Sequence, residues 1–571
     1  DALLALCADD WRDSHGFGKD DWRDRYKKMK GLEVDFSEAE ATVDGDRAEF
    51  TPAVLCSSWG FNTYTHTLKK DSDGVWRLVY TESIDWGNVA LDAEGRRRKA
   101  EIDAAAMAVS ELREHLLSDP ARPGYHFVVP EGLAIPFDPN GAIYWKGRYH
   151  LFYIFQDKRT GKKSDHWGHV SSTDLFHWRH HPTGLLEGMY SGNCFINEDG
   201  VPTICYHQVG QGNAMAVALD DDLNEWRKLP SNPITPKTEE GDEHHGKYRS
   251  WDPHAWLEGD TYYAIFGGKR PAIAKSPSLA GEWKYVGDLF AHGVDGVDLD
   301  EDVSCADLFK LDGKDVLLCI SHRLGCRYYI GEWKDEQFYP EFHAQMSWAD
   351  NVFFAPESMQ DDKGRRIMWA WLLDFRDFGV RMEYGWSGTM SLPRVLSLGD
   401  EGELLMDVPE EIEALRYNPV TKPAFEVQPG TETKIDGISG NSIEIIVEME
   451  SEDAAEYGVK VCGSPDGQEE TVISYDASAG ELKVDTHKSG PEGTPKCVET
   501  GPFKLKDGER LELRIFVDHS VVEVFANRRQ AVMRRIYPSQ PESVGVSLFS
   551  AGGTTQVHSL RSWTISPSNP Y

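Results

Sequence analysis

Ile135-Pro136-Phe137-Asp138-Pro139-Asn140-Gly141-Ala142-Ile143-Tyr144-Trp145 places an acid at a tight turn, just ahead of a strand rich in β-branched and aromatic residues. Pro at the second turn position with Asn-Gly behind it is strong turn chemistry, so the Asp138 carboxylate is held at the mouth of that strand. A second Asp-Pro follows in Trp251-Asp252-Pro253-His254-Ala255-Trp256. A lone Asp-Pro is usually a plain turn; here the weight comes from repetition. A strand-turn-strand unit recurs at Ala142–Tyr153, Ala255–Phe266, Asp307–Leu318 and Ser358–Trp369, each with Gly at or beside its turn. Units of this kind, at intervals of roughly 50 to 110 residues and with almost no helical period between them, predict a β-propeller over 122–416. On this count Asp307 falls in the third blade, Glu357 opens the fourth, and Trp386 to Leu405 closes a fifth.

The flanking regions differ. Residues 1–90 read as a small accessory α+β domain: helix-like spacing from Leu3 to Met29, then short strands with Asp44-Gly45 and Asp73-Gly74 hairpin turns. Leu32 to Tyr80 resembles the curved sheet of the nuclear-transport-factor-like cone. Residues 91–121 read as a connecting helix, with Ile102, Ala105, Ala106, Val109, Leu112, Leu116 and Leu117 at helical spacing and Asp119-Pro120 as its stop. Its Arg96-Arg97-Arg98-Lys99 run reads as a solvated face. Residues 420–571 alternate with period two, as in Leu511–Asp518 and Val521–Asn527, which predicts a sandwich of antiparallel sheets.

Composition narrows the function. The 571 residues allow roughly three or four domains. Asp plus Glu number 95 against 60 Lys plus Arg, a net charge of −35, which argues against nucleic acid and anionic membranes as partners. No apolar run is long enough to span a bilayer. Aromatics are 11% and Trp numbers 18, which suits stacking on sugars as well as packing between sheets. The nine cysteines have neither zinc-finger spacing nor an even disulfide framework. His244-His245 with Asp242 and Glu243 lies in an acidic loop and reads as solvated rather than metal-binding, and no phosphate-binding glycine loop is present.

Several blocks, in order, resemble glycoside hydrolase family 32, the fructofuranosidases (invertase, levanase, inulinase). They are His126-Phe127, Asp138-Pro139-Asn140-Gly141, Tyr149–Tyr153, Trp167–Trp178, Tyr190-Ser191-Gly192, Trp251-Asp252-Pro253, Gly364–Trp371, Leu392-Pro393-Arg394 and Val517–Phe525. The resemblance covers about residues 122–570. It implies a five-bladed propeller with a central funnel, then a β-sandwich, and a retaining mechanism without cofactor or metal. Asp138 matches the family's nucleophile and Asp252 its transition-state stabiliser. A retaining glycosidase wants two carboxyl groups roughly 5 Å apart, one ionised and one protonated.

The acid/base partner is the point of departure. The family has Glu in a Glu-Cys-Pro-Asp motif; the matching segment here is Ser304-Cys305-Ala306-Asp307. Two acids could replace it, Glu301 upstream or Glu357 in Phe354-Ala355-Pro356-Glu357-Ser358. With the turn glycines as a ruler, Glu357 lies seven residues before Gly364 as Asp252 lies seven before Gly259, whereas Glu301 lies twelve before Gly313. The ruler favours Glu357 and expects its carboxylate in the funnel.

Two family positions that contact sugar have also changed. Asn before the first Asp is Phe137, and Arg of Arg-Asp-Pro is Trp251, with Arg249 two residues earlier. Exchanging hydrogen bonds for stacking faces changes which substrate is accepted. Further polar contacts are expected from Asn140, Gln156, His166, Trp167, Ser191, His207 and Gln211. The sequence thus predicts a retaining glycosidase acting on fructofuranosidic bonds of fructans or fructo-oligosaccharides, with altered preference. The alternatives are transfer to a sugar acceptor, action on another furanoside, or a carbohydrate-binding propeller without catalysis. A polysaccharide substrate favours secretion or periplasmic export over the cytoplasm; oligomeric state has no signature in the pattern.

Overall fold

The computed structural model describes residues 2–29, 33–57, 60–87, 93–132, 136–157, 164–187, 189–236 and 238–570. Leu32, Ile135 and the first two residues of the predicted connecting helix lie outside them. The chain divides into two compact units, 1–112 and 113–571.

In the first unit the strands run in the order Cys7–Asp13, Trp76–Gly87, Gly60–Lys70, Arg47–Ser57, Glu33–Asp35, with Glu40–Asp44 also paired to Arg47–Ser57. Cys7–Asp13 runs parallel to Trp76–Gly87; the other pairs are antiparallel. The helix Lys19–Tyr26 lays Trp22 on a core of Leu4, Cys7, Trp11, Leu55 and Tyr64. The expectation of helix through Leu3 to Met29 is corrected here. Cys7–Asp13 buries Cys7, Trp11 and Asp13 and exposes Asp9 and Asp10 between them, so it serves as an edge strand, and only Ala2–Ala5 and Lys19–Tyr26 are α-helical in that stretch. A long helix follows, Ala93–Leu117.

The second unit begins with a five-bladed propeller. The first strands of its blades are Phe137–Trp145, Met189–Ile196, His254–Glu258, Ser304–Leu311 and Phe353–Gln360, and each heads its own antiparallel sheet. These five strands touch one another in a closed circle, the fifth against the first, and so surround the central axis. The count from sequence missed one blade. Met189–Ile196 and Pro202–Gln208 are joined by a turn at Gly200 and form the second blade, so Ser304 opens the fourth and Glu357 lies in the fifth. Arg394–Leu398 and Leu404–Asp407, expected in a separate blade, are the outer strands of the sheet that Phe353–Gln360 heads.

A β-sandwich completes the unit. One sheet runs Arg416–Lys422, Thr555–Ile565, Ser442–Glu450, Leu511–Asp518, Val521–Ala526, Gln530–Arg535; the other runs Glu432–Ser439, Gly545–Ala551, Glu456–Gly463, Glu470–Asp476, Glu481–Lys488, Val498–Pro502. Residues alternating along both sheets, among them Ile445, Val447, Val459, Ile473, Leu513 and Val524, form its core.

Propeller and sandwich meet at a buried cluster of charge. Asp518 accepts backbone N–H bonds from Gly124, Tyr125 and His126 at 2.7, 2.9 and 2.8 Å. His126 Nδ1 faces Asp518 at 2.9 Å and Nε2 faces Glu523 at 3.2 Å; Arg394 donates to Glu523 at 2.6 Å. Both imidazole nitrogens therefore face acceptors, which requires the doubly protonated ring. Burial opposes the charges, but His126 and His519 hold Asp518 well below the ordinary carboxylate range, and Arg394 with His126 holds Glu523 down at about 2. The neighbouring Phe127 carbonyl accepts from Met390 N–H at 2.8 Å, and Val129 N–H donates to the Gly388 carbonyl at 3.1 Å. The His-Phe, Leu-Pro-Arg and Val-Asp-His blocks thus form one joint that ties the start of the propeller to its last blade and to the sandwich.

Candidate active site

The turn expected at Asp138-Pro139-Asn140-Gly141 is not one: the four residues lie within the first strand, Phe137–Trp145, whose register shifts on either side of Pro139-Asn140. Gly141 has φ +53°, and a Cβ there would lie 2.8 Å from the Trp167 ring, so the position requires glycine. Asn140 Nδ2 donates to the Asp138 carbonyl at 2.7 Å, and its Oδ1 accepts from Gly192 N–H at 3.1 Å. Asp138 itself sits at φ 38°, in the left-handed region that non-glycine residues rarely adopt. Asp252 (φ 24°), Cys305 (φ 48°) and Ala355 (φ 51°) repeat this conformation in the third, fourth and fifth blades. In the first, fourth and fifth blades the strand register shifts at this residue, as in a β-bulge. The bulges turn the ends of the innermost strands toward the axis.

They open onto a pocket of about 380 Å³ lined by Phe137, Asp138, Gln156, Tyr190, Ser191, Trp251, Asp252, Ser304, Cys305, Ile320, His322, Phe354 and Trp371. Asp138 Oδ2 accepts from the Ser191 hydroxyl at 3.1 Å. Asp252 Oδ2 accepts from Cys305 N–H at 3.2 Å. The Cys305 thiol lies between them, 3.9 Å from Asp138, 3.7 Å from Asp252 and 3.2 Å from the Ser191 hydroxyl. Burial, reinforced by the charge of Asp252, pushes Asp138 up to about 7; burial, with Asp302 nearby, pushes Asp252 up to about 6. Five buried polar atoms of this lining have no hydrogen-bond partner among the described residues: Asp138 Oδ1, Asp252 Oδ1, Gln156 Oε1, Trp251 Nε1 and Trp371 Nε1. Buried polar atoms in native proteins are nearly always paired, so acceptors and donors left open around one pocket point to a ligand rich in hydroxyl groups.

The other sequence-derived residues are placed as follows. Trp167 is wholly buried, donates Nε1–H to the Tyr190 carbonyl at 3.1 Å, and supports the pocket from behind. Arg249 stacks its guanidinium 3.8 Å above the Trp251 ring. His207 lies 4.9 Å from Trp251, ring to ring, and is tied to Asn213. His166 accepts from Glu187 N–H, and Gln211 closes a turn onto Gln208.

Neither acid proposed as the partner lines the pocket. Glu301 is bound by the Ser321 hydroxyl and the Arg323 guanidinium, which, against the effect of burial, hold it below its ordinary value. Glu357 accepts from Ala142 N–H at 3.1 Å and lines a second cavity of about 220 Å³ with His254, Asp307 and Arg366. The expectation that it points into the funnel beside Asp138 is not met. His254, Asp307 and Glu357 each follow a left-handed residue by two positions, one full pleat further along the strand. The glycine ruler failed because the turns differ in length; the bulge is the true reference. Burial, reinforced by Asp307, pushes Glu357 well above the usual carboxylate range.

Sequence reasoning passed over His322, Phe354 and Trp371 as pocket residues. Like Gln156, His322 and Trp371 lie at or just past the end of a blade's second strand, Arg148–Asp157 for Gln156, Lys314–Ser321 for His322 and Arg366–Leu372 for Trp371. That shared placement is the signal that would have found them.

The comparisons agree with this architecture. Residues 126–409 match the profile of the glycosyl hydrolases family 32 N-terminal domain, and residues 411–564 that of the family 32 C-terminal domain. The chain is 26% identical over 511 residues to a sucrose-6-phosphate hydrolase of Zymomonas mobilis, covering 81% of this chain and 96% of the relative. It is 29% identical over 506 residues to a levanase of Bacillus subtilis, covering 78% and 70%. Fructan 1-exohydrolase IIa from Cichorium intybus superposes with a TM-score of 0.69 at 22% identity, covering 78% of this chain and 98% of that one, which supports the fold. With both of its domains matched in order over most of the chain, the protein belongs to glycoside hydrolase family 32.

Proposed function

We propose that this protein is a retaining glycosidase that cleaves fructofuranosidic bonds of fructans or fructo-oligosaccharides. The observation that carries the reading is the pocket that Asp138 and Asp252 line together, each with one carboxylate oxygen left without a hydrogen-bond partner among the described residues. Asp138 attacks the anomeric carbon and forms a covalent fructosyl ester; Asp252 holds sugar hydroxyls as positive charge develops on the ring. Ser191 and Cys305 orient the nucleophile, while Gln156 and the indole N–H groups of Trp251 and Trp371 serve further hydroxyls. Levanase, sucrose-6-phosphate hydrolase and fructan 6-exohydrolase relatives make fructosides the substrate class to test first.

Phe137 and Trp251 bring apolar faces to places where the family contacts sugar by polar groups. The preferred linkage or leaving sugar is therefore expected to differ from that of a simple sucrose hydrolase. Ser304 favours a second reading, a carbohydrate-binding propeller without turnover. Incubation with levan, inulin, fructo-oligosaccharides, sucrose and sucrose 6-phosphate decides between them. Release of fructose with retained anomeric configuration supports the hydrolase; binding of the same sugars with none cleaved would establish the second reading.

A further inference from the structure

The loss of the family's glutamate leaves a place for a proton donor, and the pocket contains one. His322 follows the second strand of the fourth blade, Lys314–Ser321, and lines the pocket with Asp138 and Asp252. Its Nδ1 lies 2.6 Å from Asp302 Oδ2. Asp302 in turn accepts the Ser304 hydroxyl on Oδ1 at 2.9 Å. The serine standing where the family has its glutamate thus supports the carboxylate that orients the imidazole. The His322 carbonyl accepts from Asn351 Nδ2 at 3.1 Å, and the ring meets Phe354 edge to face at 5.8 Å. Nε2 makes no hydrogen bond with a described residue.

We propose that His322, oriented by Asp302, is the general acid and base of this enzyme. The inference rests on reading the chain as a retaining fructofuranosidase. As Asp138 attacks the anomeric carbon, the glycosidic C–O bond breaks and the leaving oxygen takes the proton from Nε2, leaving neutral imidazole. In the second half, Nε2 takes a proton from water as the water oxygen attacks the same carbon; the ester bond breaks, and the Asp138 carboxylate and the imidazolium are restored. The charged groups facing the ring are Asp302, Asp252 and Asp138, with the Cys305 thiol beside them and Arg323 turned to Glu301. The Asp302 hydrogen bond, against burial and together with the charges of Asp302, Asp252 and Asp138, raises the imidazole above its ordinary value, which favours the acid form. Asp302 is a positioning residue.

The test compares the full-length enzyme with His322→Gln, His322→Ala and Asp302→Asn on alkyl and aryl fructofuranosides of graded leaving-group pKa. Loss of a general acid removes about 10²- to 10⁴-fold from kcat/KM on a poor leaving group and far less on a nitrophenolate. Azide should restore turnover of the aryl substrate by His322→Ala and give fructosyl azide, because a small anion attacks the ester without base help. Asp302→Asn should move the alkaline limb of kcat/KM to lower pH. Melting temperatures of the three variants confirm the fold. An active wild type whose His322→Gln variant stays within about threefold on every substrate overturns this assignment alone, as does an equal loss across all leaving groups. A wild type that cleaves no fructoside overturns the parent reading as well.

Discussion

A carboxylate that attacks carbon must be ionised, and the surroundings of Asp138, the proposed nucleophile, oppose ionisation. Burial and the neighbouring Asp252 raise it to about 7, so kcat/KM should fall as pH drops below about 7 and the nucleophile takes up its proton. The Asp252→Asn variant, slower overall, should carry that limb to lower pH because a like charge is gone; a pH–rate profile of its residual activity checks the direction. Asp138→Asn should lower kcat by at least about a thousandfold while leaving the melting temperature at or above wild type, since no described residue bonds Oδ1 and a buried charge is removed. Trp251→Phe and Trp371→Phe keep a ring and lose one donor each, so KM should rise about 3- to 10-fold, with kcat less affected. At this scale the pocket lining was legible through the two Asp-Pro motifs, at Asp138 and Asp252, and through the Tyr190-Ser191-Gly192 block. His322 was not, because its approach to the pocket depends on how a blade's second strand ends rather than on its own neighbours in the chain.

Along each innermost strand, one pleat separates two kinds of position. Asp138, Asp252 and Cys305, left-handed in backbone, line the pocket; His254, Asp307 and Glu357, each two past a left-handed residue, line the second cavity with Arg366. Burial and Asp307 push Glu357 well above the ordinary carboxylate range, which favours its neutral form, and glutamine matches that form in shape and in having a donor beside an acceptor oxygen. Glu357→Gln should therefore hold kcat and KM within about twofold of wild type on poor and good leaving groups alike. A loss confined to poor leaving groups would return the proton-donor role to Glu357. Strand existence and alternation were legible from β-branched and aromatic runs, and four of the five blades announced themselves. Bulges have no such signature: Cys305 and Ala355 take left-handed backbone without being glycine or asparagine, so a register counted from turn glycines drifts by a pleat.

For the molecule as a whole, the joint between propeller and sandwich governs stability. Arg394→Met leaves buried Glu523 with His126 alone as counter-charge and should destabilise the second unit by about 3 kcal/mol, read by urea or thermal unfolding. Among the carboxylates the pH dependence has two opposed parts. Asp518 and Glu523 are depressed in the folded chain, so their contribution is complete above about pH 4 and is lost as pH falls toward about 2. Asp138 and Asp252 are raised, so lowering pH from about 7 to about 4 should add stability. Buried His150 and His254, held down at about 3 and about 4, also cost stability as pH falls below about 6.5, so unfolding midpoints should drop steeply between about pH 4 and pH 2, where both they and Glu523 take up protons. Family blocks such as Leu392-Pro393-Arg394 and Val517–Phe525 were readable as blocks, but their roles were not, because partners 392 to 397 residues apart in the chain are joined only by the fold.

That separation has a consequence during synthesis. His126 leaves the ribosome with the first blade, whereas Asp518 and Glu523 follow only after all five blades have been made. Asn569, which binds the Pro123 and His126 carbonyls at 3.0 and 2.7 Å, comes last. A nascent chain holding every blade still lacks the acids that pin its first segment, so the ring is expected to stay open until the sandwich strands through Gln530–Arg535 have emerged. Protease challenge of ribosome-stalled chains of increasing length should find the propeller resistant only past that point; resistance in a chain ending at Asp407 would show that the blades close by themselves.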